Sequence, residues 1–178
     1  MNKQKINSWI LASRPRTLPA ALVPVMVGSA LAIYHGIFFP AYSIIALLCS
    51  ILIQIGTNFT NDLYDYLKGT DTAERKGPLR VLASGLISVN EMKWGIFLVF
   101  FTAFLLGLYL VYSVGLTILW IGIFSIVAGL AYTAGPFPLA YNGLGDLFVF
   151  IFFGIVGTVG TYYLHAQQFT SLAFLISL

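Results

Sequence analysis

The chain has 178 residues, of which 59% are hydrophobic and 8% charged, and its mean hydropathy is +0.92. That leaves too little polar surface to cover a soluble globule, so the composition describes an integral membrane protein. Net charge is +3, but the nine Lys and Arg form no basic stripe interleaved with aromatics, which excludes nucleic acid as a partner and makes the charges a guide to topology.

In chain order, KINSWILASRPR (Lys5 to Arg16) reads as a short interfacial element, with Trp9 at headgroup depth and basic residues beside it. Apolar segments of about the 20 residues needed to cross a bilayer follow at Leu18 to Tyr34, Ala41 to Phe59, Trp94 to Tyr112, Leu116 to Tyr132 and Leu147 to Leu164, and a sixth starts near Ser171. Pro19 and Pro24 interrupt the first, which makes it an uncleaved transmembrane helix rather than the core of a signal peptide. Cys49 has no disulfide partner and no CxxC context, and reads as a small buried hydrophobe. Ser88 and Glu91 have capping-box spacing and predict a helix starting near Val89. Gly36 and Pro40, Ser113 to Gly115, and TAGPFPLAYNGLG (Thr133 to Gly145) mark the breaks between spans.

Every Lys and Arg lies either before the first span or between Lys68 and Lys93. Two spans separate these regions, so they share a side, which the positive-inside rule makes the cytoplasm. The loop from Thr133 to Gly145 returns to that side, beside Asp146, the only charged residue after Lys93. His35 and His165 fall at the opposite, outer ends and read as interfacial residues.

Polarity is concentrated in NFTNDLYDYLKGTDTAERKGPLR, Asn58 to Arg80. If the second span continues helically past Phe59, then Asn58, Asn61, Asp62 and Asp65 share one face at the membrane boundary, with Asp71 and Glu74 following in the loop. Hard oxygen donors grouped this way suit Mg²⁺, which is usually held by one or two carboxylates plus substrate phosphate. Lys68, Arg75, Lys76 and Arg80 add cations that can grip phosphate oxygens. A diphosphate on a long apolar tail is the substrate class that needs such a site in a membrane. For Glu74, Arg75 and Lys76 a solvated juxtamembrane loop is an equal account. Polar groups stacked on the end of a spanning helix carry a desolvation cost that a loop avoids, and this sets the four-residue face apart.

The run Asn61-Asp62-Leu-Tyr-Asp65-Tyr-Leu-Lys-Gly69-Thr-Asp71 resembles the first aspartate-rich motif of the UbiA-type intramembrane prenyltransferases. RPRTLPAALVPVMVG (Arg14 to Gly28), GPLRVLASG (Gly77 to Gly85) and AYTAGPFPLAYNGLGDLFVFIFFG (Ala131 to Gly154) are similar to the branch that prenylates 1,4-dihydroxy-2-naphthoate, and the likeness covers nearly the whole chain. It implies an all-α polytopic bundle around a cavity open to cytoplasm and lipid. It also implies Mg²⁺-assisted transfer from a polyprenyl diphosphate to 1,4-dihydroxy-2-naphthoate, leading to demethylmenaquinone, at a multi-pass site in the plasma or inner membrane. By position in the motifs, Asn61, Asp62 and Asp65 would hold the metal, and Asp62, Asp65 and Asp71 would form the acidic catalytic set. Lys68, Arg75 and Arg80 would face the diphosphate, and Tyr132, Asn142 and Asp146 the acceptor; Asn58, from its place on the helical face, is a further candidate for substrate binding. Tyr132 reads equally as an aromatic-belt residue.

The family's fold has about nine spans of about 20 residues, with a second aspartate-rich motif between its sixth and seventh helices. The 178 residues account for about five spans, and no second acidic motif follows Lys93. The expectation is therefore a single, C-terminally incomplete prenyltransferase domain that turns over little by itself. A CDP-alcohol phosphotransferase would need a DG step and an AR pair with further spaced aspartates, a pattern the chain lacks. An ion-coupled transporter would place its polar residues near mid-span rather than at helix ends, and a noncatalytic lipid-binding protein is the remaining alternative.

Overall fold

The computed structural model describes residues 3–69 and 80–178, and among these the chain is helical with no strand. The helices are α1 (Lys3–Ala12), α2 (Leu18–Tyr34), α3 (Pro40–Leu67), α4 (Val89–Val114), α5 (Leu116–Ala131), α6 (Gly145–Val149), α7 (Gly157–Ala166) and α8 (Ser171–Ile176). A π-helical stretch, Phe150–Val156, joins α6 to α7, so Gly145–Ala166 runs as one apolar span. That span, α3 and α4 are each long and apolar enough to cross a membrane. The apolar α2 follows α1 across a 53° bend, and α5 is shorter at 16 residues. All five expected spans are helical, and α8 begins at the expected Ser171.

Local signals set several boundaries. Ser88 accepts from the backbone N–H of Glu91 while the Glu91 carboxylate accepts from the N–H of Ser88, the reciprocal cap expected from their spacing. The Glu91 carboxylate also meets Lys5 of α1 at 2.7 Å, and Trp9 packs against Phe59 and over Gly95. Helix α1 is thereby docked on the shared end of α3 and α4. At the bend after it, Arg14 adopts a left-handed conformation (φ 49°), and Pro15 starts the short 3-10 turn that leads into α2.

Between the spans, small residues permit close approach, as expected where lipid offers no hydrophobic drive for association. A Cβ at Gly28 of α2 would stand 2.6 Å from the Thr158 carbonyl oxygen, and one at Gly157 would stand 2.7 Å from Pro24 Cβ. Helix α3 adds a polar seam. Ser50 donates to the Ala21 carbonyl, Gln54 to Thr17 Oγ1, and Asn58 to both the Ser13 carbonyl and Thr17 Oγ1. The mid-span polar groups Ser50 and Gln54 therefore hold α2 and its entry turn, and Asn58 satisfies a carbonyl left open at the end of α1.

His165 corrects the expectation of an interfacial residue: it is only 5% exposed. Its Nδ1 accepts from the Phe39 N–H at 3.2 Å, so Nε2 carries the proton and donates to Ser43 Oγ at 3.0 Å. The Ser43 hydroxyl is then left to donate to Ser29 Oγ at 2.6 Å, tying α2, α3 and α7 together. Replacing His165 with leucine is expected to cost about 1–3 kcal/mol, because it removes both hydrogen bonds of a buried imidazole, to the Phe39 N–H and to Ser43. The loss is measurable as a lower unfolding midpoint in detergent, and glutamine at that position should recover part of it. Cys49 also differs from expectation, being half-buried on a cavity wall rather than in a packed core.

Candidate functional site

Helix α3 does continue past Phe59, to Leu67, and brings Asn58, Asn61, Asp62 and Asp65 to one end of the bundle. The first three are buried and Asp65 is half-buried. This is possible because Ala12, Phe59, Leu63, Val81, Leu82, Ile87 and Met92 form an apolar core at the same level, shielding the polar face from the opposite side.

That core also places Arg80. Val81 and Leu82 are buried in it, and the segment turns back with Gly85 at φ +67° and the Leu86 N–H bonded to the Val81 carbonyl. The guanidinium lands between two carboxylates, Nη1 at 3.3 Å from Asp62 Oδ1 and Nη2 at 2.8 Å from Asp65 Oδ2. All three side chains are withdrawn from solvent, with 13%, 3% and 13% exposure for Arg80, Asp62 and Asp65.

The connection between α5 and α6 closes the site from another direction. Thr133 donates its hydroxyl to Asn61 Oδ1 at 2.7 Å, and Lys68 donates to the Thr133 carbonyl at 3.0 Å. The Lys68 ammonium sits 4.4 Å from the centre of the Tyr141 ring, whose hydroxyl donates to Asp65 Oδ1. Asp65 is thus held through both oxygens, by Tyr141 on one and Arg80 on the other.

Beside this polar cluster lies a cavity of about 440 Å³. Its walls are apolar, with Val25 from α2, Ile53 from α3, Leu108 from α4, Ile121 from α5 and Phe152 from the π-helical stretch among them. One end is polar, formed by Arg14, Thr17, Gln54, Asn58, Asn61 and Tyr132. The lining reaches along α3 from Ala46 to Asn61, about 20 Å at 1.5 Å per residue. The π-helical stretch contributes Phe152, Phe153 and Val156 to the wall, in keeping with the frequent occurrence of such distortions at functional sites.

The site therefore sorts the expected residues. Asn58 and Asn61 border the cavity, whereas Asp62 and Asp65 lie on the Arg80 side of the same helix end. Tyr132 lines the cavity and approaches Gly145 with its hydroxyl. Asn142 is exposed and donates its amide to the Pro138 carbonyl at 2.7 Å, fixing its own turn. Asp146 is exposed in the first turn of α6, where a carboxylate complements the helix dipole, and neither residue lines the cavity. Asp71 and Arg75 lie outside the described residues, as do Glu74 and Lys76.

Sequence reasoning left Arg14 and Tyr141 without a role at this site. Arg14 had a signal in its RPRT context, with Pro15 between it and the apolar α2. Tyr141 had none, because its contact with Asp65 spans 76 positions of the chain.

No cluster of three His, Cys, Asp or Glu suited to a metal occurs among the described residues. The donor set at the end of α3 is two carboxylates and one amide oxygen, all hard and oxygen-based. That set fits one Mg²⁺ completed by water and phosphate oxygens, and does not suit Zn²⁺.

Comparison with known proteins gives a consistent picture. The model of the UbiA prenyltransferase family matches residues 21–178. A 1,4-dihydroxy-2-naphthoate octaprenyltransferase of Haemophilus influenzae is 41% identical over 96% of this chain and 58% of its own length. The enzyme of that name from Escherichia coli is 39% identical over 94% of this chain and 57% of its own. The human UbiA prenyltransferase domain-containing protein 1 is 31% identical over 96% of this chain and 50% of its own. The chain thus spans about half the length of the curated relatives it matches. No solved structure matches.

Proposed function

The chain belongs to the UbiA prenyltransferase family, and from that premise we propose that it binds the prenyl diphosphate of a membrane prenyltransferase acting on 1,4-dihydroxy-2-naphthoate. The observation that carries this reading is the juxtaposition of a long apolar cavity with a buried polar end and, beside it, a paired acidic cluster. An amphiphile with an anionic head and an isoprenoid tail fits both parts at once, with the tail along α3 and the head at Asn61.

Asn61, Asp62 and Asp65 would hold Mg²⁺, and Arg80 and Lys68 would supply the positive charge that meets the diphosphate. Bound Mg²⁺ supplies charge that stabilises the diphosphate as a leaving group. The bond between the allylic carbon and the diphosphate oxygen breaks with its electron pair going to oxygen. A ring carbon of the naphthoate supplies the pair for the new carbon–carbon bond, and the ring carboxylate leaves as CO₂, its electrons returning to the ring. The residues' part is to orient the head, neutralise charge where it develops, and line the tail with apolar walls that exclude competing water. Arg14 and Tyr132, which line the cavity's polar end, would meet the acceptor. The basic residues Lys5, Arg14, Lys68 and Arg80 gather at the same end of the bundle as Asp65, which supports a cytoplasmic active-site face.

Farnesyl thiodiphosphate, which resists cleavage, provides a test in lipid nanodiscs. Binding should require Mg²⁺ and should weaken at least about tenfold in Asp65→Asn, since a charged ligand contributes roughly 1.5–3 kcal/mol. Equal binding by wild type and variant would remove the metal assignment. The two carboxylates on one helix can serve one dication, so transfer catalysed by this chain alone is expected to be slow. Robust Mg²⁺-dependent product formation would contradict that expectation.

A further inference from the structure

We infer that Arg80 is an exchangeable counter-ion: it neutralises Asp62 and Asp65 until a divalent cation arrives together with a diphosphate, and then passes to the diphosphate. The inference rests on the proposed function and adds to it the order in which the site fills.

The geometry provides the argument. One guanidinium bridges both carboxylates of the expected metal set, taking Oδ1 of Asp62 and Oδ2 of Asp65. With side chains 3–13% exposed, the site is shielded enough that two neighbouring negative charges need a compensating cation to be stable. A dication entering by itself must compete with that guanidinium for the same oxygens and would sit beside a fixed positive charge. Entering with a diphosphate, it brings an acceptor for the guanidinium, whose planar fork suits phosphate oxygens as well as carboxylates. Two features let Arg80 move without unfolding the site. Its neighbours Val81 and Leu82 anchor the backbone in the apolar core, and Tyr141 keeps hold of Asp65 through the other oxygen. The displaced guanidinium therefore finds a new acceptor only when the diphosphate arrives with the cation, which favours the pair over the bare cation.

The test uses two titrations of the chain in nanodiscs. Mn²⁺ alone is followed by loss of its free-ion electron paramagnetic resonance signal, and farnesyl thiodiphosphate with Mg²⁺ is followed by calorimetry. Arg80→Gln should bind Mn²⁺ about tenfold more tightly than wild type and the Mg²⁺–thiodiphosphate about tenfold less tightly. These opposite signs are not what a general loss of folding would produce. Arg80→Lys, which keeps a charge but cannot bridge both carboxylates, should lie between the two on Mn²⁺ and serves if the glutamine variant is unstable. Asp65→Asn sets the baseline without the site. Unchanged or weaker Mn²⁺ binding in both Arg80 variants, with Asp65→Asn still abolishing it, would overturn the exchange and leave the metal reading standing. Mn²⁺ binding that survives Asp65→Asn would overturn both.

Discussion

Replacing Arg80 with leucine is expected to destabilise the apo protein by about 3–5 kcal/mol, the usual consequence of removing one member of a buried ion pair. The bridging geometry is the reason. Asp62 and Asp65 stand one helical turn apart, both withdrawn from water, and both contact the Arg80 guanidinium, at 3.3 and 2.8 Å. Without it, each carboxylate loses a charged partner in a shielded site. Adding Asp62→Asn and Asp65→Asn to the leucine variant should return most of the lost stability, since amides carry no charge to compensate. Unfolding in mixed micelles, followed by circular dichroism, measures both steps. A leucine variant as stable as wild type would mean that the pair is solvated and contributes no more than a surface salt bridge, about 0–1 kcal/mol.

A second large effect is expected at Gly28. In a helix interior, alanine is favoured over glycine by about 1 kcal/mol, so propensity alone predicts that Gly28→Ala stabilises α2. Packing opposes it. The added Cβ would stand 2.6 Å from the Thr158 carbonyl oxygen, 2.7 Å from Thr161 Cβ and 3.0 Å from the Tyr162 nitrogen. Two of those three atoms are backbone, so no rotamer change relieves the overlap, and α2 must separate from α7. Overpacking of this kind costs about 1–3 kcal/mol, which outweighs the propensity gain. Gly28→Ala should therefore be destabilising, and Gly28→Leu should prevent the two spans from associating. Gly107→Ala is the control: nothing lies within 4 Å of a Cβ there, so the propensity term should appear unopposed as a small gain.

Much of the frame was legible because it follows from periodicity and local chemistry. The Ser88 and Glu91 spacing predicted the start of α4, and steps of three and four predicted one polar face of Asn58, Asn61, Asp62 and Asp65; α3 carries all four at one end, with Asn58 and Asn61 toward the cavity and Asp62 and Asp65 toward Arg80. The use of those residues was less legible. Asn58, expected to face substrate, commits its amide to the turn between α1 and α2, while Lys68 is seated on Tyr141 and the Thr133 carbonyl. Such partnerships join residues 41 to 73 positions apart and leave no periodic trace. His165 was misread for a similar reason. A histidine near a helix end resembles an interfacial one until Phe39 and Ser43 are seen to enclose it. The π-helical stretch Phe150–Val156 was equally hidden, since its composition does not differ from that of an ordinary apolar span.

In the proposed function, the end of α3 would hold a divalent cation against the diphosphate of a prenyl donor. Pulsed electron–nuclear double resonance on Mn²⁺-loaded protein with farnesyl thiodiphosphate tests it most directly, by detecting phosphorus coupled to protein-bound Mn²⁺. Wild type should show such coupling, and the protein with Asp62 and Asp65 both replaced by asparagine should lose it together with the bound Mn²⁺. Bound Mn²⁺ that shows no phosphorus coupling, or that persists in the double variant, would contradict the proposed function.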